Sequence, residues 1–203
     1  LTINSIETKG EIKQGQLAST SVISSQDVGD ATLTLNTRPF ESRIPLDGKL
    51  EMQGLNVAPF KPLSPAIRTL TGKLNGNVSL SGYIDDPTLN GELTVSNGAI
   101  DIQDTPVTLA DWNQKVSLNG QTAALDGTFL LGGGKGALKG ELDWSSNPSA
   151  TFNLKGNGFE IRQPNIRLKV SPNIDIAATK EKVDVIGEVN IPWARIEIES
   201  LPE

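Results

Sequence analysis

The side chains in this sequence that could do chemistry are few, and most are carboxylates. Asp85-Asp86 is the obvious acid pair. Two adjacent carboxyls can act as general acid and base when their surroundings push their pKa values apart. Here they stand directly before Pro87, between two alternating stretches, and that is turn chemistry. Asp101, Asp104 and Asp111 could offer oxygens to calcium, yet no loop has the ligand spacing of an EF-hand. They read as solvated strand ends. "GGGKG" at 132–136 has the glycines and lysine of a phosphate cradle but lacks the Ser or Thr that must follow the lysine and open a helix. The segment that follows, "GALKGEL", alternates like a strand, so a hairpin turn is predicted there. Trp112, Trp144 and Trp193 could stack against sugars, but in so aromatic-poor a chain they are expected to seal the ends of an apolar face. With no His, no Cys and one Tyr, nucleophile–base arrangements cannot be assembled. The sequence reads as non-enzymatic, with no cofactor and no metal ligands.

Alternation of period two is the signal that organises the rest. Large apolar residues recur at spacings of two or four in Leu74/Val78/Leu80/Ile84, Leu89/Leu93/Val95, Leu125/Phe129/Leu131, Leu138/Leu142/Trp144 and Val183/Val185/Val189/Ile191. That period means strands with one apolar and one polar face. Turn signals separate them: Asp85-Asp86-Pro87, Asn97-Gly98, Gly132 to Gly134, Ser145 to Pro148 and Gly156-Asn157-Gly158. One two-turn helix is expected where Ser64 can cap, Pro65 suits the first position, and Ile67 and Leu70 share a side.

Composition narrows the class. The 203 residues carry 18 basic and 24 acidic side chains, a net charge of −6. That balance opposes nucleic-acid binding and simple docking onto anionic lipid. No apolar run is long enough for a membrane-spanning helix. The chain opens at Leu1 already in a strand-like pattern and is expected to be a mature product or an excised fragment of something longer.

The apolar face needs a cover. Two sheets pressed into a sandwich, a solenoid with an internal core, or one sheet folded over an open groove would each supply one. Periodicity alone ranks the sandwich first. Glycine tilts the choice: Gly48, Gly72, Gly76, Gly82, Gly91, Gly127, Gly140 and Gly187 each have a large apolar residue two positions away on both sides. Glycine inside strands costs stability, and it relieves crowding on the concave face of a strongly curled sheet.

"GNVSLSGYIDDPTLNGELTVSNGAI", Gly76 to Ile100, resembles the Gly-x-[Val/Leu]-x-Leu-x-Gly…Asp-Pro-x-Leu-x-Gly-x-Leu-x-Val-x-x-Gly pattern of AsmA-like bridge proteins. With "VNIPWARIEI", Val189 to Ile198, the chain is most similar to the C-terminal domain of the TamB family of that superfamily. The resemblance implies an all-β, strongly curved, folded-over sheet, a β-taco with an apolar groove, formed by residues 1–203 as one domain. It implies a periplasmic segment of a protein anchored in the bacterial inner membrane. The implied partner is the TamA outer-membrane barrel, reached through the full-length protein. The implied roles are assembly of outer-membrane proteins, including autotransporters, and transport of phospholipid. The chain is expected to lack the family's membrane anchor and to stop short of the segment that engages the barrel.

On this reading Leu74, Val78, Leu80, Ile84, Leu89, Leu93, Val95, Phe129, Leu142, Phe152, Leu154, Val183, Val185 and Val189 line the groove. Phospholipid acyl chains are the expected cargo. The alternative is a chaperone or scaffold that holds unfolded outer-membrane strands by β-augmentation.

Overall fold

The structure, a computed structural model, describes residues 5–25, 28–103, 105 and 108–197. Thirteen strands form a single antiparallel sheet. They are β1 (Ser5–Lys13), β2 (Gln16–Ser25), β3 (Gly29–Thr37), β4 (Leu46–Asn56), β5 (Ile67–Tyr83), β6 (Asp86–Ile102), β7 (Thr108–Gly120), β8 (Thr122–Leu131), β9 (Gly134–Asp143), β10 (Ser149–Asn157), β11 (Phe159–Gln163), β12 (Ile166–Thr179) and β13 (Val183–Ile196). The order is a meander, each strand beside its sequence neighbours. The one irregularity is that β10 and β11, broken at Gly158, share the edge of β12 opposite β13. The sheet does not close, and among the described residues no further strand pairs with the outer edges of β1 and β13.

Turn chemistry sets this order. Gln14-Gly15 and Gly132-Gly133 both take positive φ at their two central residues, the conformation that matches the twist of two-residue hairpins. "GGGKG" is therefore half turn and half strand. Asp85-Asp86 also sits at a hairpin, where Arg43 pairs with both carboxylates at 3.3 Å and lies over the Tyr83 ring. Gln121 donates a further hydrogen bond to Asp86.

Two sequence expectations are corrected. The helix lies earlier than expected: a 3-10 helix spans Ala58–Leu63, Ser64 follows it rather than starting it, and Ile67 already begins β5. Pro65 follows the helix end instead of opening one, a position where proline is common because it cannot continue a helix. Asn97-Gly98 is not a turn between strands but a bulge inside β6, with Asn97 at φ 51°.

That bulge has neighbours. Register shifts occur at Met52/Leu55, Thr71/Lys73, Val95/Gly98 and Ala110/Asn113, so every successive pairing from β4 to β8 has at least one. Bulges bend a strand and sharpen its twist, so four in line crease the sheet. Their freed amides are satisfied from the adjoining strand: the Gly54 N–H donates to Asn75 Oδ1 at 2.8 Å and the Asn97 N–H to Asn113 Oδ1 at 3.1 Å. Val28, Leu55 and Val57 are buried beside the crease.

The strand glycines have a packing reason. A Cβ at Gly140 would lie 2.6 Å from the Phe152 ring of the facing strand, and one at Gly136 would collide with Phe129. The larger side chain lies flat across its glycine partner and keeps the face thin. Gly140→Val is expected to destabilise the fold by about 1–3 kcal/mol, read as a lower urea midpoint with an unchanged slope.

Candidate functional site

Antiparallel pairing places directly opposed residues on one face, so the register shows what shares a surface. One row crosses every strand except β11: Ile6, Ile23, Ala31, Met52, Gly76, Leu93, Val116, Leu125, Gly140, Phe152, Ile176 and Val185. It contains no polar residue. At roughly 4.8 Å per strand it is on the order of 50 Å long. A second row on the same face runs from Leu33 through Leu50, Val78, Gly91, Leu118, Ala123, Leu142, Ala150 and Ala178 to Val183. A third runs from Leu55 through Leu74, Val95, Gln114, Gly127, Leu138, Leu154 and Ile174 to Gly187.

The groove residues expected from sequence fall on this face with one exception. Leu74, Val95 and Leu154 lie in the third row, Leu93, Phe152 and Val185 in the first, and Val78, Leu142 and Val183 in the second. Leu80 and Leu89 pair with each other beside the second row, and Phe129 and Val189 lie beyond the third. Ile84 is elsewhere. It occupies the β5–β6 turn, 64% exposed, with its amide donating to Ile44 O.

Among the described residues no second layer covers this face. Among the described residues no large side chain is fully buried, and the buried apolar set is short: Val28, Leu55, Val57, Val78, Ala123, Phe129 and Phe159. A sandwich, which periodicity favours, would bury whole rows. Here Ile6 and Val185, the two ends of the first row, remain more than 60% exposed.

Gln114 was not foreseen. It interrupts the third row, only 7% exposed, with Nε2 donating to Lys115 O at 3.2 Å and Oε1 without a partner. Its amide covers Gly127, as Phe152 covers Gly140. A polar residue at the alternating position between Trp112 and Val116 is the sequence signal it offers.

The other candidates are dispersed. Asp101 pairs with Arg68 at 3.3 Å, Asp111 accepts from the Asn113 amide within the β7 bulge, and Asp104 lies outside the described residues. Trp112 packs on Gly98, Trp144 Nε1 donates to Pro87 O at 2.9 Å, and Trp193 faces outward opposite Lys169. Hydrogen bonds from Ser145 hold the Asp143 carboxyl below its ordinary value, and one from Arg162 does the same for Glu160. Both are half-buried surface acids.

A single apolar face crossing an open meander is the geometry to set beside known proteins. A family model described as the TamB N-terminal domain matches residues 1–95, and one described as the TamB C-terminal domain matches residues 121–203. The chain belongs to the TamB family. The translocation and assembly module subunit TamB of Haemophilus influenzae is 29% identical over 161 residues, which is 78% of this chain and 12% of that protein. The chain thus spans about an eighth of that TamB. No solved structure matches. The two family models leave residues 96–120 between them, a span that holds the end of β6 and all of β7, which pair with each other.

Gln114→Met removes an unpaired buried acceptor while conserving volume, and it is expected to raise stability by about 1 kcal/mol. A thermal melt that shifts downward would contradict that.

Proposed function

We propose that this chain is a non-enzymatic, periplasmic segment of a bridge between the inner and outer membranes, and that its apolar face carries phospholipid acyl chains. The observation that carries the reading is the unbroken row from Ile6 to Val185 on a face left without a covering layer. Exposing hydrocarbon to water costs about 0.8 kcal/mol per CH₂, so a sixteen-carbon chain crossing an aqueous gap faces on the order of 10 kcal/mol. A continuous aliphatic surface removes most of that barrier. It holds the lipid weakly, because a bilayer solvates acyl chains equally well, and passage requires this near-equality.

Membership of the TamB family supports a role within a translocation and assembly module, with TamA as the outer-membrane partner of the full-length protein. A second reading has its own support. The whole of β13 is a free edge whose residues are almost all exposed, and extended segments add to such edges. An outer-membrane protein strand could be held there during assembly.

Leu142 tests the first reading. It is half-buried between Ala123 and Ala150, so a longer side chain there can extend over small neighbours. Leu142→Arg in the full-length protein is expected to cut lipid passage by at least about tenfold, the effect of about 1.4 kcal/mol of added barrier. The strand signal in circular dichroism should persist. Photo-crosslinkers at Leu80 and Leu154 separate the readings. Lipid adducts support the conduit and polypeptide adducts the scaffold, whereas failure to label either would count against both.

A further inference from the structure

An antiparallel meander places its connections alternately at two ends of the sheet. One end holds the β3–β4, β5–β6, β7–β8, β9–β10 and β12–β13 connections, and side chains join them link by link. Arg43 of the β3–β4 connection pairs with Asp85 and Asp86 at the β5–β6 turn, both at 3.3 Å. Gln121 of the β7–β8 turn donates to Asp86, and its carbonyl oxygen accepts the Trp144 backbone N–H at 3.0 Å. Trp144 of the β9–β10 connection also sends its ring N–H to Pro87 O at 2.9 Å. Lys180 of the β12–β13 turn donates to Ser146 O at 3.1 Å. The five connections thus form one tied rim.

Trp144 is the link that reaches furthest. The others join neighbouring connections, whereas its ring passes over the β7–β8 turn to the start of β6. That turn is the shorter one: Gly120 stands opposite Leu89, and Thr122 opposite Asp143, so Pro87 and Trp144 both lie beyond it. A flat sheet would hold β6 and β9 three spacings apart, about 14 Å, more than a tryptophan side chain and one hydrogen bond cover. The two strand ends therefore lean together over the turn. Trp144 is half-buried and stands one alternation beyond Leu142 of the second apolar row.

A tie of this kind matters most in a single layer. Adjacent strands adopt twists over a range of roughly 10–35°, and in a sandwich the opposing sheet selects among them. Here the register shifts constrain the strands near the opposite end, and the tied rim constrains them at this one.

We infer that Trp144 is a positioning residue: its ring N–H ties β9 to β6, draws the rim together and fixes the width of the apolar face between them. The tie itself stands independently of cargo. Its consequence for transport rests on the conduit reading, in which that width sets how closely the face follows an acyl chain.

The chain has no Cys, so spin labels can be placed at Ser81→Cys in β5 and Ser149→Cys in β10, both exposed, and their separation read by electron–electron double resonance. Trp144→Phe, which keeps an aromatic ring and loses the N–H, should lengthen and broaden that distance. Benzothienylalanine in place of Trp144 keeps the shape and removes only the N–H, and it should do the same. 5-Fluorotryptophan, which keeps the N–H, should leave the distance as it is. So should Trp193→Phe, the same exchange at the exposed ring near the other end of the sheet. An unchanged distance with benzothienylalanine overturns the inference, and so does equal widening in Trp193→Phe. In the full-length protein the benzothienylalanine variant should slow lipid passage by at least about threefold, an added barrier of about 0.65 kcal/mol. Unaltered passage, where Leu142→Arg does block it, overturns the positioning role. If Leu142→Arg leaves passage intact, the conduit reading fails and the distances alone decide the tie.

Discussion

Register is the constraint on which the structure depends. In a sheet with one apolar face, a slip of one residue between any two strands carries every side chain of the displaced strand to the wrong side. Here the first apolar row survives eleven successive pairings without a polar residue, although register shifts interrupt several of the ladders that build it. The shifts lie to one side of the row, so they bend the strands without breaking it. The polar face helps hold the pairing. Lys139 and Asp126 stand directly opposite each other, and a one-residue slip would separate them. Exposed pairs contribute little to stability, but each opposes the neighbouring register.

A meander explains how so thin a structure holds together. Apart from β10 and β11, which share an edge of β12, each strand meets the strand before it and the strand after it, so the ladder closes with short loops and little long-range ordering. Backbone hydrogen bonds, cross-strand pairs and the flat stacking of Phe152 on Gly140 or Phe129 on Gly136 supply cohesion that a second layer supplies in a sandwich. The cost is an apolar surface far larger than a soluble single-layer protein ordinarily leaves open. A fold that keeps such a surface half-exposed over its whole width is suited to a transient hydrocarbon-like occupant, which is the physical basis of the proposed conduit.

What the sequence disclosed follows from what period two can encode. Val78, Leu93, Phe152 and Val185 were legible as facing one side because alternation is local, and so was the all-β class. Ile84 was misplaced because it continues the count from Leu80 past Tyr83, where the chain has already turned. Alternation cannot mark the residue at which a strand stops. Asn97-Gly98 carries the same local chemistry in a bulge as in a hairpin, since both need a residue at positive φ. Only the partner strand distinguishes them, through the Asn113 side chain that takes the freed amide. The choice between open face and sandwich was equally hidden. Both put the same residues on the same side, and the difference lies in what opposes them across space.

The two free edges are built differently, and the difference gives the sheet a direction. On its outward face β1 carries Glu7, Lys9, Glu11 and Lys13, joined as Lys9–Glu7 and Lys13–Glu11 ion pairs. Charged side chains of this kind, lysine above all, are how sheets discourage further pairing. On β13 the outward face includes Ile186 and Trp193, while Val183, Val185 and Val189 extend the inward rows. Apolar groups on both faces of an edge strand gain from a neighbour on that edge, because an added strand would shelter both. Pro192 removes one donor near its end, but the stretch before it keeps its full complement of amides. One edge is therefore blunted and the other receptive. Any strand that joins β13 in register prolongs the apolar rows by one step, whereas β1 offers charge to an arriving neighbour.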